Sequence, residues 1–404
     1  MYPATVAPKS SLSFYLLASL TVSFLAGSSA PTPLYPIYQR MWGFSPVMLT
    51  IVFGVYALAV LAALLIAGRL SDHLGRRPVL IVASISQAFV MLLFATAASV
   101  TGLLVARIIQ GVTTGAAIGA VGAAMIDLDK SRGTVANAVV PPFGTALGAL
   151  LGGIFVQYLP GPTHLVYAVL AAVFIAQGLG LKFMKESVST LPGVLASLKP
   201  RLNLPRATRQ PLLLAVPILL AVWSLAGFYG SLGPTLIRGM LNSGSPVFGG
   251  LALFVLAASA GISVLLLHER TPHQMVTVGA GSLLAGVALT VYALSHGAVV
   301  MFFLGTAVAG VGFGAGFQGA VRTVIPAAAA HERAGTLSVI FIICYLAMGV
   351  PAVAAGSLLA RHVNIITTAE YFCAVVMALA FAALLGAARR MDGVEATPSV
   401  GCAE

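Results

Sequence analysis

Charged residues are scarce in this sequence. Asp, Glu, Lys and Arg make up only 8% of its 404 residues, whereas hydrophobic residues make up 59%. Soluble domains carry about 25% charged residues, and so few charges cannot cover a surface that faces water. The scarcity therefore excludes a soluble globular protein and predicts that lipid covers most of the chain.

Groups that could hold a metal or perform acid–base chemistry are also scarce. The three cysteines, Cys344, Cys373 and Cys402, form no spacing pattern, which argues against disulfides and against a zinc site. No carboxylate falls deep within a hydrophobic run, and the seven histidines lie near loops, so no acid–base pair or ligand cluster is visible. A phosphate-binding loop of the G-x-x-x-x-G-K-S/T type is absent as well. We therefore expect no enzyme, no metal site, no cofactor and no use of nucleotides as the energy source.

The sequence instead contains twelve hydrophobic runs, each long enough to cross a bilayer as a helix. They cover residues 12–31, 47–68, 78–98, 101–126, 134–158, 163–183, 211–237, 246–267, 275–295, 298–325, 334–360 and 366–388. We predict an all-α membrane protein whose twelve transmembrane helices form two pseudo-symmetric six-helix bundles. The predicted units are an N-terminal bundle, a linker, a C-terminal bundle and a tail, over residues 1–183, 184–210, 211–390 and 391–404.

The positive charges lie mainly on one side of these runs. Of the 21 Lys and Arg residues, seventeen fall in segments that share a side with both termini, and only Arg40, Arg238 and Arg361 fall in loops on the other side. Since cytoplasmic loops are enriched in Lys and Arg, we predict a bacterial cytoplasmic membrane protein with both termini and the linker in the cytoplasm. The net charge of +11 then reflects orientation in the membrane, and we expect no nucleic-acid partner.

The segment between the second and third runs carries the most specific motif. It reads Gly68-Arg69-Leu70-Ser71-Asp72-His73-Leu74-Gly75-Arg76-Arg77-Pro78. This segment resembles the G-x-L-S/A-D-R/K-x-G-R-R/K signature of the major facilitator superfamily, with His73 where Arg or Lys is usual. An ordinary basic loop would explain the arginines, but not Asp72 and Gly75 at the signature spacing.

The resemblance implies a role for this loop. In that superfamily the loop latches the two bundles together in the outward-facing state. We expect an ionised Asp72 to sit against the positive N-terminal end of the eleventh helix, and Arg76 and Asp127 to complete a charge network. The predicted conformational latch consists of Gly68, Asp72, Gly75, Arg76, Arg77 and Asp127.

A second motif lies in the fourth run. The residues Arg107-Ile108-Ile109-Gln110-Gly111 resemble the R-x-x-Q-G motif of the same superfamily. Arg107 is the only cation well inside a run, and a charge inside the membrane normally faces a cavity. The alternative is a side chain that extends along the helix to the membrane surface.

Glycines form a third motif in the fifth run. They resemble the G-x-x-x-G-P-x-x-G-G motif associated with antiporters, and they are Gly144, Gly148, Gly152 and Gly153. Ala149 replaces the proline of that motif, which weakens the implied drug–proton antiport. Close packing against the eighth helix would explain the glycines almost as well.

Polar and aromatic side chains within the runs are the candidates for a transport cavity, because an amide in hydrocarbon is unfavourable unless it faces water or a partner. The candidates are Arg107, Gln110, Thr113, Trp223, Tyr229, Gln318 and Tyr345. Aromatic side chains are more often packing residues than ligand contacts. An unpaired Arg107 in a cavity of low dielectric constant would attract an anion or an electron-rich neutral ligand and repel cations. A neutral or anionic substrate is therefore favoured.

These observations favour a secondary active transporter that exports a small organic molecule by alternating access. An ion gradient or the substrate's own gradient would drive it, with the proton as the candidate coupling ion, and we expect the chain to work as a monomer in the lipid bilayer. Two alternatives stay open. One is uptake of a sugar or an organic anion, and the other is a membrane sensor of the same fold that does not transport.

Overall fold

The computed structural model describes residues 8–200, 202–241 and 245–395. Twelve long helices dominate these ranges, and no β-strand occurs in them. We number the long helices α1 to α12 in chain order: Pro8–Ser29, Pro46–Ala67, Arg76–Ala95, Val100–Leu128, Lys130–Tyr158, Leu165–Leu181, Arg206–Ser231, Pro246–Leu267, Pro272–His296, Val299–Val324, Arg333–Ala360 and Ile365–Glu395. The predicted all-α fold of twelve helices is confirmed.

The long helices have the dimensions of membrane spans. In the described ranges, eleven segments are long and apolar enough to cross a membrane, and they account for every long helix except α6. Helix α6 has 17 residues, which corresponds to about 25 Å at the helical rise per residue. Such a length is at the lower limit for the hydrocarbon core of a bilayer. The protein is a multi-pass membrane protein.

Capping residues mark the start of several helices. The Ser45 hydroxyl accepts a hydrogen bond of 3.3 Å from a main-chain N–H in the first turn of α2. Thr271 and Gln274 form a reciprocal capping box at the start of α9. A proline follows each cap, Pro46 and Pro272, and proline suits this position because its missing N–H would have no helical partner there. Local sequence therefore sets where these helices begin.

Helix ends outside the membrane differ from the predicted boundaries. Helix α7 begins at Arg206, within the predicted linker, and α12 continues to Glu395, beyond the predicted bundle end at 390. The remainder of the predicted linker contains one helical turn, Val194–Ser197. Hydrophobicity falls at the membrane surface, whereas Arg, Ala and Gln are good helix formers in water. The apolar runs therefore underestimate the length of helices that continue past the bilayer.

The chain folds back against the bundle after α1 and again after α7. Thr32–Leu34 and Tyr35–Trp42 form two short helices after α1, and the Tyr35 and Tyr38 side chains are buried. A short helix, Gly233–Leu241, follows α7 and contacts Tyr35–Trp42. We call the end of the molecule with these short helices the far side, and the opposite end, with residues 182–205, the linker side.

The first six and the last six helices meet mainly along two helix pairs, α5 with α8 and α2 with α11. Small residues allow these helices to approach closely. A Cβ atom at Gly250 on α8 would lie 2.2 Å from the Ala149 carbonyl oxygen on α5, and one at Gly153 would lie 3.0 Å from the Pro246 carbonyl oxygen. Close backbone approach through glycine is a usual way for helices to associate in lipid.

Candidate functional site

A cavity of about 250 Å³ lies between the two sets of six helices. Helices α1, α2 and α5 contribute to one wall, and α7, α8, α10 and α11 form the other. Aromatic rings make up much of the lining: Phe53 and Tyr56 on the first wall, and Trp223, Phe313, Phe317 and Tyr345 on the second. Rings of this kind offer large apolar faces to a ligand.

The polar groups of the cavity are uncharged. None of the described residues that line it is Asp, Glu, Lys, Arg or His. The hydroxyls of Ser28 and Ser29 already donate to main-chain carbonyl oxygens, at 2.7 and 2.8 Å. The Asn137 amide donates to the Gly122 carbonyl oxygen at 3.0 Å, which leaves its own oxygen free to accept. The Gln318 amide makes no hydrogen bond to any described residue.

Contacts between the two walls close the far side of the cavity. Thr32 donates a hydrogen bond of 3.2 Å to the main-chain carbonyl of Gly230, which joins the segment after α1 to α7. Gly356 on α11 lies directly against Thr50 on α2, where a Cβ atom would be 2.8 Å from the Thr50 methyl group. The lining extends from these contacts toward the linker side as far as Asn137.

Arg107 does not line the cavity, which corrects the expectation that an unpaired arginine faces it. Its side chain is only 1% exposed and donates hydrogen bonds to the Ser28 carbonyl oxygen at 2.9 Å, to Gln110 Oε1 at 2.6 Å and to the Tyr35 hydroxyl. Its guanidinium carbon also lies 5.3 Å from the centre of the Tyr56 ring. Because Tyr56 and Ser28 line the cavity, Arg107 lies directly behind the first wall.

Three other predicted cavity residues also lie outside the cavity. Gln110 donates to the Gly27 carbonyl oxygen at 2.9 Å, in addition to its contact with Arg107. Thr113 donates to Gln87 on α3. Tyr229 is hydrogen-bonded to Thr306 at 2.8 Å within the second set of helices. Each of these polar groups finds its hydrogen-bond partner inside one half of the protein. The sequence alone could not show this, because the partners lie elsewhere in the chain.

The structure places Trp223, Gln318 and Tyr345 together in the cavity. It also adds lining residues that the sequence analysis missed, which are Phe53, Tyr56, Asn137, Phe313 and Phe317. Asn137 carried the same signal as Gln318, an amide inside a hydrophobic run, and could have been found. The phenylalanines carried no signal that distinguishes lining from packing.

The predicted latch residues form one network on the linker side. Arg76 is 7% exposed and pairs with Asp72 at 2.5 Å and with Asp127 at 3.1 Å. It also donates to the Ser71 hydroxyl at 2.6 Å. In this structure Asp72 bonds to Arg76, and no hydrogen bond joins it to the N-terminal turn of α11 among the described residues. The far side is closed here, so the contact with α11, which was predicted for the outward-facing state, stays a prediction.

Glu186 joins this network from a distant part of the sequence. Its carboxylate accepts hydrogen bonds from the main-chain N–H groups of Arg76 and Arg77, at 2.9 and 3.0 Å, at the start of α3. A carboxylate is favoured there because the first N–H groups of a helix are unpaired and carry partial positive charge. Gly75, with φ +96°, provides the turn that presents them. Gly68 ends α2 beside the same loop.

The glycines of the fifth run pack mainly against α1. A Cβ atom at Gly144, Gly148 or Gly152 would lie within 3 Å of main-chain oxygens of α1 and the residue that follows it. Gly153 faces α8 instead. The close packing against α8 that the sequence suggested therefore applies to Gly153, and the other three bring α5 against α1.

The Major Facilitator Superfamily family model matches residues 17–352. The chain is 31% identical over 147 residues to "Multidrug resistance protein MdtL" of Klebsiella pneumoniae (strain 342), across 34% of this chain and 38% of that protein. It is 32% identical over 103 residues to "Major facilitator-type transporter psiT2" of Psilocybe cyanescens, across 25% of this chain and 20% of that protein. The chain thus matches less than two fifths of either relative's length.

Two solved structures share the fold across almost the whole chain. The nucleoside transporter NupG superposes with a TM-score of 0.70 at 12% identity, covering 92% of this chain and 99% of that one. A bacterial homolog to the human lysosomal transporter Spinster, in an inward-facing and occupied conformation, gives 0.68 at 15% identity, covering 97% and 98%. At such low identity these likenesses show the fold alone.

Proposed function

The chain belongs to the major facilitator superfamily, a family of membrane transporters, and on that premise we propose that it moves a small organic molecule across the membrane by alternating access. The single observation that carries the proposal is the cavity between the two sets of helices, closed on the far side by Thr32, Gly230 and the α2–α11 contact. A cavity at the interface of two similar halves can be exposed to each side in turn when the halves rock.

We propose that the direction of transport is export across a bacterial cytoplasmic membrane. The excess of Lys and Arg on the linker side supports a cytoplasmic linker and cytoplasmic termini, and with that orientation the cavity of this structure belongs to an inward-facing state. The partial similarity to a multidrug resistance protein also supports efflux. Since the sequence has no nucleotide-binding loop, the proposed energy source is an ion gradient or the substrate's own gradient, and the proton is the candidate coupling ion.

The surroundings of the cavity support a neutral or anionic substrate. No carboxylate lies among the described lining residues, so a cationic ligand would find no counter-charge. Arg107 lies behind Tyr56 and has no carboxylate partner among the described residues. A buried positive charge close to a low-dielectric cavity raises the electrostatic potential within it and disfavours cations.

Flux measurements with three aromatic probes of different charge test this function. Everted membrane vesicles that contain the protein, with and without an imposed pH gradient, would be given chloramphenicol (neutral), salicylate (anionic) or tetraphenylphosphonium (cationic). We expect protein-dependent accumulation of the neutral or the anionic probe, accelerated by the gradient. Flux of tetraphenylphosphonium alone, or flux of none of the three, would contradict the proposal. Vesicles from cells without the protein are the control.

A further inference from the structure

Trp223 is the centre of an aromatic cluster on the second wall of the cavity. Its ring centre lies 5.0 Å from that of Tyr345, 5.5 Å from that of Phe317 and 6.4 Å from that of Phe313. All four side chains line the cavity. Their spacings and tilts are those of interacting aromatic pairs, which hold one another in place.

Two polar groups in this cluster have no hydrogen-bond partner. The Trp223 Nε1–H group is buried and bonds to no described residue, although an indole N–H can only donate and buried polar groups are almost always paired. The amide of Gln318 is likewise without a partner in the described part of the chain. Leaving a buried donor unpaired is unfavourable, so a ligand acceptor would gain from satisfying it. The Nε1 atom has almost no accessible surface in this structure, so the acceptor reaches it only when neighbouring side chains of the wall move aside.

The opposite wall offers mainly apolar surface. Leu25, Phe53, Pro141 and Pro142 face the cavity there. Arg107 lies behind this wall, but it points its Nη atoms at Ser28, Gln110 and Tyr35. Its Nε–H group has no partner among the described residues, but the side chain is only 1% exposed and does not line the cavity. An anion in the cavity would therefore contact no cationic group, and a cation would find no carboxylate among the described lining residues.

We infer that the cavity binds a flat, uncharged aromatic ring system that carries a hydrogen-bond acceptor. The ring packs among Trp223, Phe317 and Tyr345, and the acceptor takes the N–H of Trp223, with Gln318 as the second polar contact. This inference rests on the proposed function, because it takes the cavity to be the transport site, and it narrows the substrate class from neutral or anionic to neutral.

A pair of tricyclic probes isolates the acceptor. 9-Fluorenone and fluorene share one planar skeleton and differ in a carbonyl group, which only fluorenone has. Binding of each would be measured to the full-length protein in lipid nanodiscs, with empty nanodiscs as the blank for partition into lipid. We expect fluorenone to bind the wild type about fivefold more tightly than fluorene, since one net hydrogen bond has roughly that effect.

Variants of the two tryptophans assign the effect to one N–H group. Trp223→Phe keeps a ring but removes the donor, and should bind both probes with the affinity that the wild type has for fluorene. The protein has only two tryptophans, and Trp42, which stacks on Tyr38 on the far side, supplies the control. Trp42→Phe should retain the fivefold preference. In that variant Trp223 is the sole remaining tryptophan, so binding of fluorenone should change the tryptophan fluorescence emission.

Each other outcome has a distinct meaning. Three results would overturn the inference. The wild type could bind the two probes equally, Trp223→Phe could keep the full preference for fluorenone, or tetraphenylphosphonium could bind more tightly than fluorenone. No binding of fluorenone to the wild type would overturn it as well. If one of these results were found together with protein-dependent vesicle flux of another neutral or anionic compound, this inference would fail and the proposed transport would stand. If fluorenone showed the expected preference but no compound were transported, the binding site would stand and the proposed transport would fail.

Discussion

Arg107 on α4 donates a hydrogen bond of 2.9 Å to the main-chain carbonyl oxygen of Ser28 on α1. Ser28 lines the cavity, whereas Arg107 does not. The buried charge therefore reaches the first wall through a main-chain group and through the ring of Tyr56. These contacts hold α1 and α2 against α4, and we propose that the charge also acts on the cavity by its electric field.

Arg107→Ala is expected to lower stability as well as transport. The change leaves the Ser28 carbonyl, Gln110 Oε1 and the Tyr35 hydroxyl without their donor, and each unpaired buried group costs about 1–3 kcal/mol. The three groups together would cost about 3–9 kcal/mol, and because neighbouring groups relax toward other partners we expect the free energy of unfolding to fall by about 3–5 kcal/mol. An arginine that faced an open cavity would instead have given a defect in transport alone. Thermal unfolding of the purified protein in detergent measures the change.

Arg132→Ala is the matched control for this effect. Its guanidinium carbon also lies over an aromatic ring, 4.7 Å from the centre of Phe14, but the side chain is exposed. We expect a change within about 0.5 kcal/mol, as for most surface substitutions. Arg107→Lys should fall between the two, because an ammonium keeps the charge but lacks the forked donors. Equal melting temperatures for Arg107→Ala and wild type would refute the structural role.

Arg76→Gln is expected to destabilise the protein more than Asp72→Asn. Asp72 is 33% exposed, and its loss leaves Arg76 paired with Asp127, so we expect a cost below about 1 kcal/mol. Loss of Arg76 leaves two neighbouring carboxylates without their cation, and we expect this to lower the free energy of unfolding by about 2–3 kcal/mol. Asp72→Asn should nevertheless impair flux, because a small free-energy change shifts a balanced equilibrium between two states several-fold. The reverse order of melting temperatures, or unimpaired flux in Asp72→Asn, would count against the network.

Gly250→Val is expected to open the far side. A Cβ atom at Gly250 would lie 2.2 Å from the Ala149 carbonyl oxygen across the α5–α8 contact, so a larger side chain must separate the two walls. A cysteine at Thr32, in a background without the native cysteines, should then react faster with an impermeant maleimide added on the far side. Gly281→Val is the control, since nothing lies within 4 Å of a Cβ atom there. Equal labelling rates in the two variants would exclude this contact as part of the seal.

Orientation in the membrane can be read from two cysteines placed at opposite ends. In a background without Cys344, Cys373 and Cys402, Ser189→Cys lies in the predicted linker. Gly161→Cys lies in an exposed loop with open space around it, at a left-handed φ of +61° that strains a cysteine by about 1–2 kcal/mol. We expect an impermeant maleimide added to intact cells to label Gly161→Cys only. Labelling of Ser189→Cys in intact cells would reverse the predicted topology. A cysteine at Ser399, also expected to be cytoplasmic, lies outside the described residues.

The fold could be predicted from the sequence because each span carries its own signal. A run of about twenty apolar residues must become a helix in lipid, where no water can pair the backbone. The signal ends at the membrane surface, so the extensions of α7 to Arg206 and of α12 to Glu395 were missed.

The site was less predictable because it depends on contacts between distant segments. Arg107 was identified as unusual, but its partners Ser28 and Tyr35 are 79 and 72 residues away in the sequence, and no local pattern links them. The same holds for Glu186 at the start of α3, which lies 110 residues from Arg76. Trp223 and Gln318 were found because a polar group inside a hydrophobic run is itself a signal.

The claim of alternating access is tested most directly by locking the far side shut. A Cβ atom at Gly54 on α2 would lie 3.6 Å from a methyl carbon of Val353 on α11. That methyl carbon is bonded to its Cβ as the Sγ of a cysteine would be, so cysteines at the two positions lie within reach of a disulfide. The double variant Gly54→Cys and Val353→Cys, without the native cysteines, would be oxidised in proteoliposomes, and flux of the transported probe would be measured before and after reduction. Alternating access predicts that the oxidised protein does not transport, that reduction restores flux, and that either single variant is unaffected by oxidation. Undiminished flux through the fully cross-linked protein would contradict it.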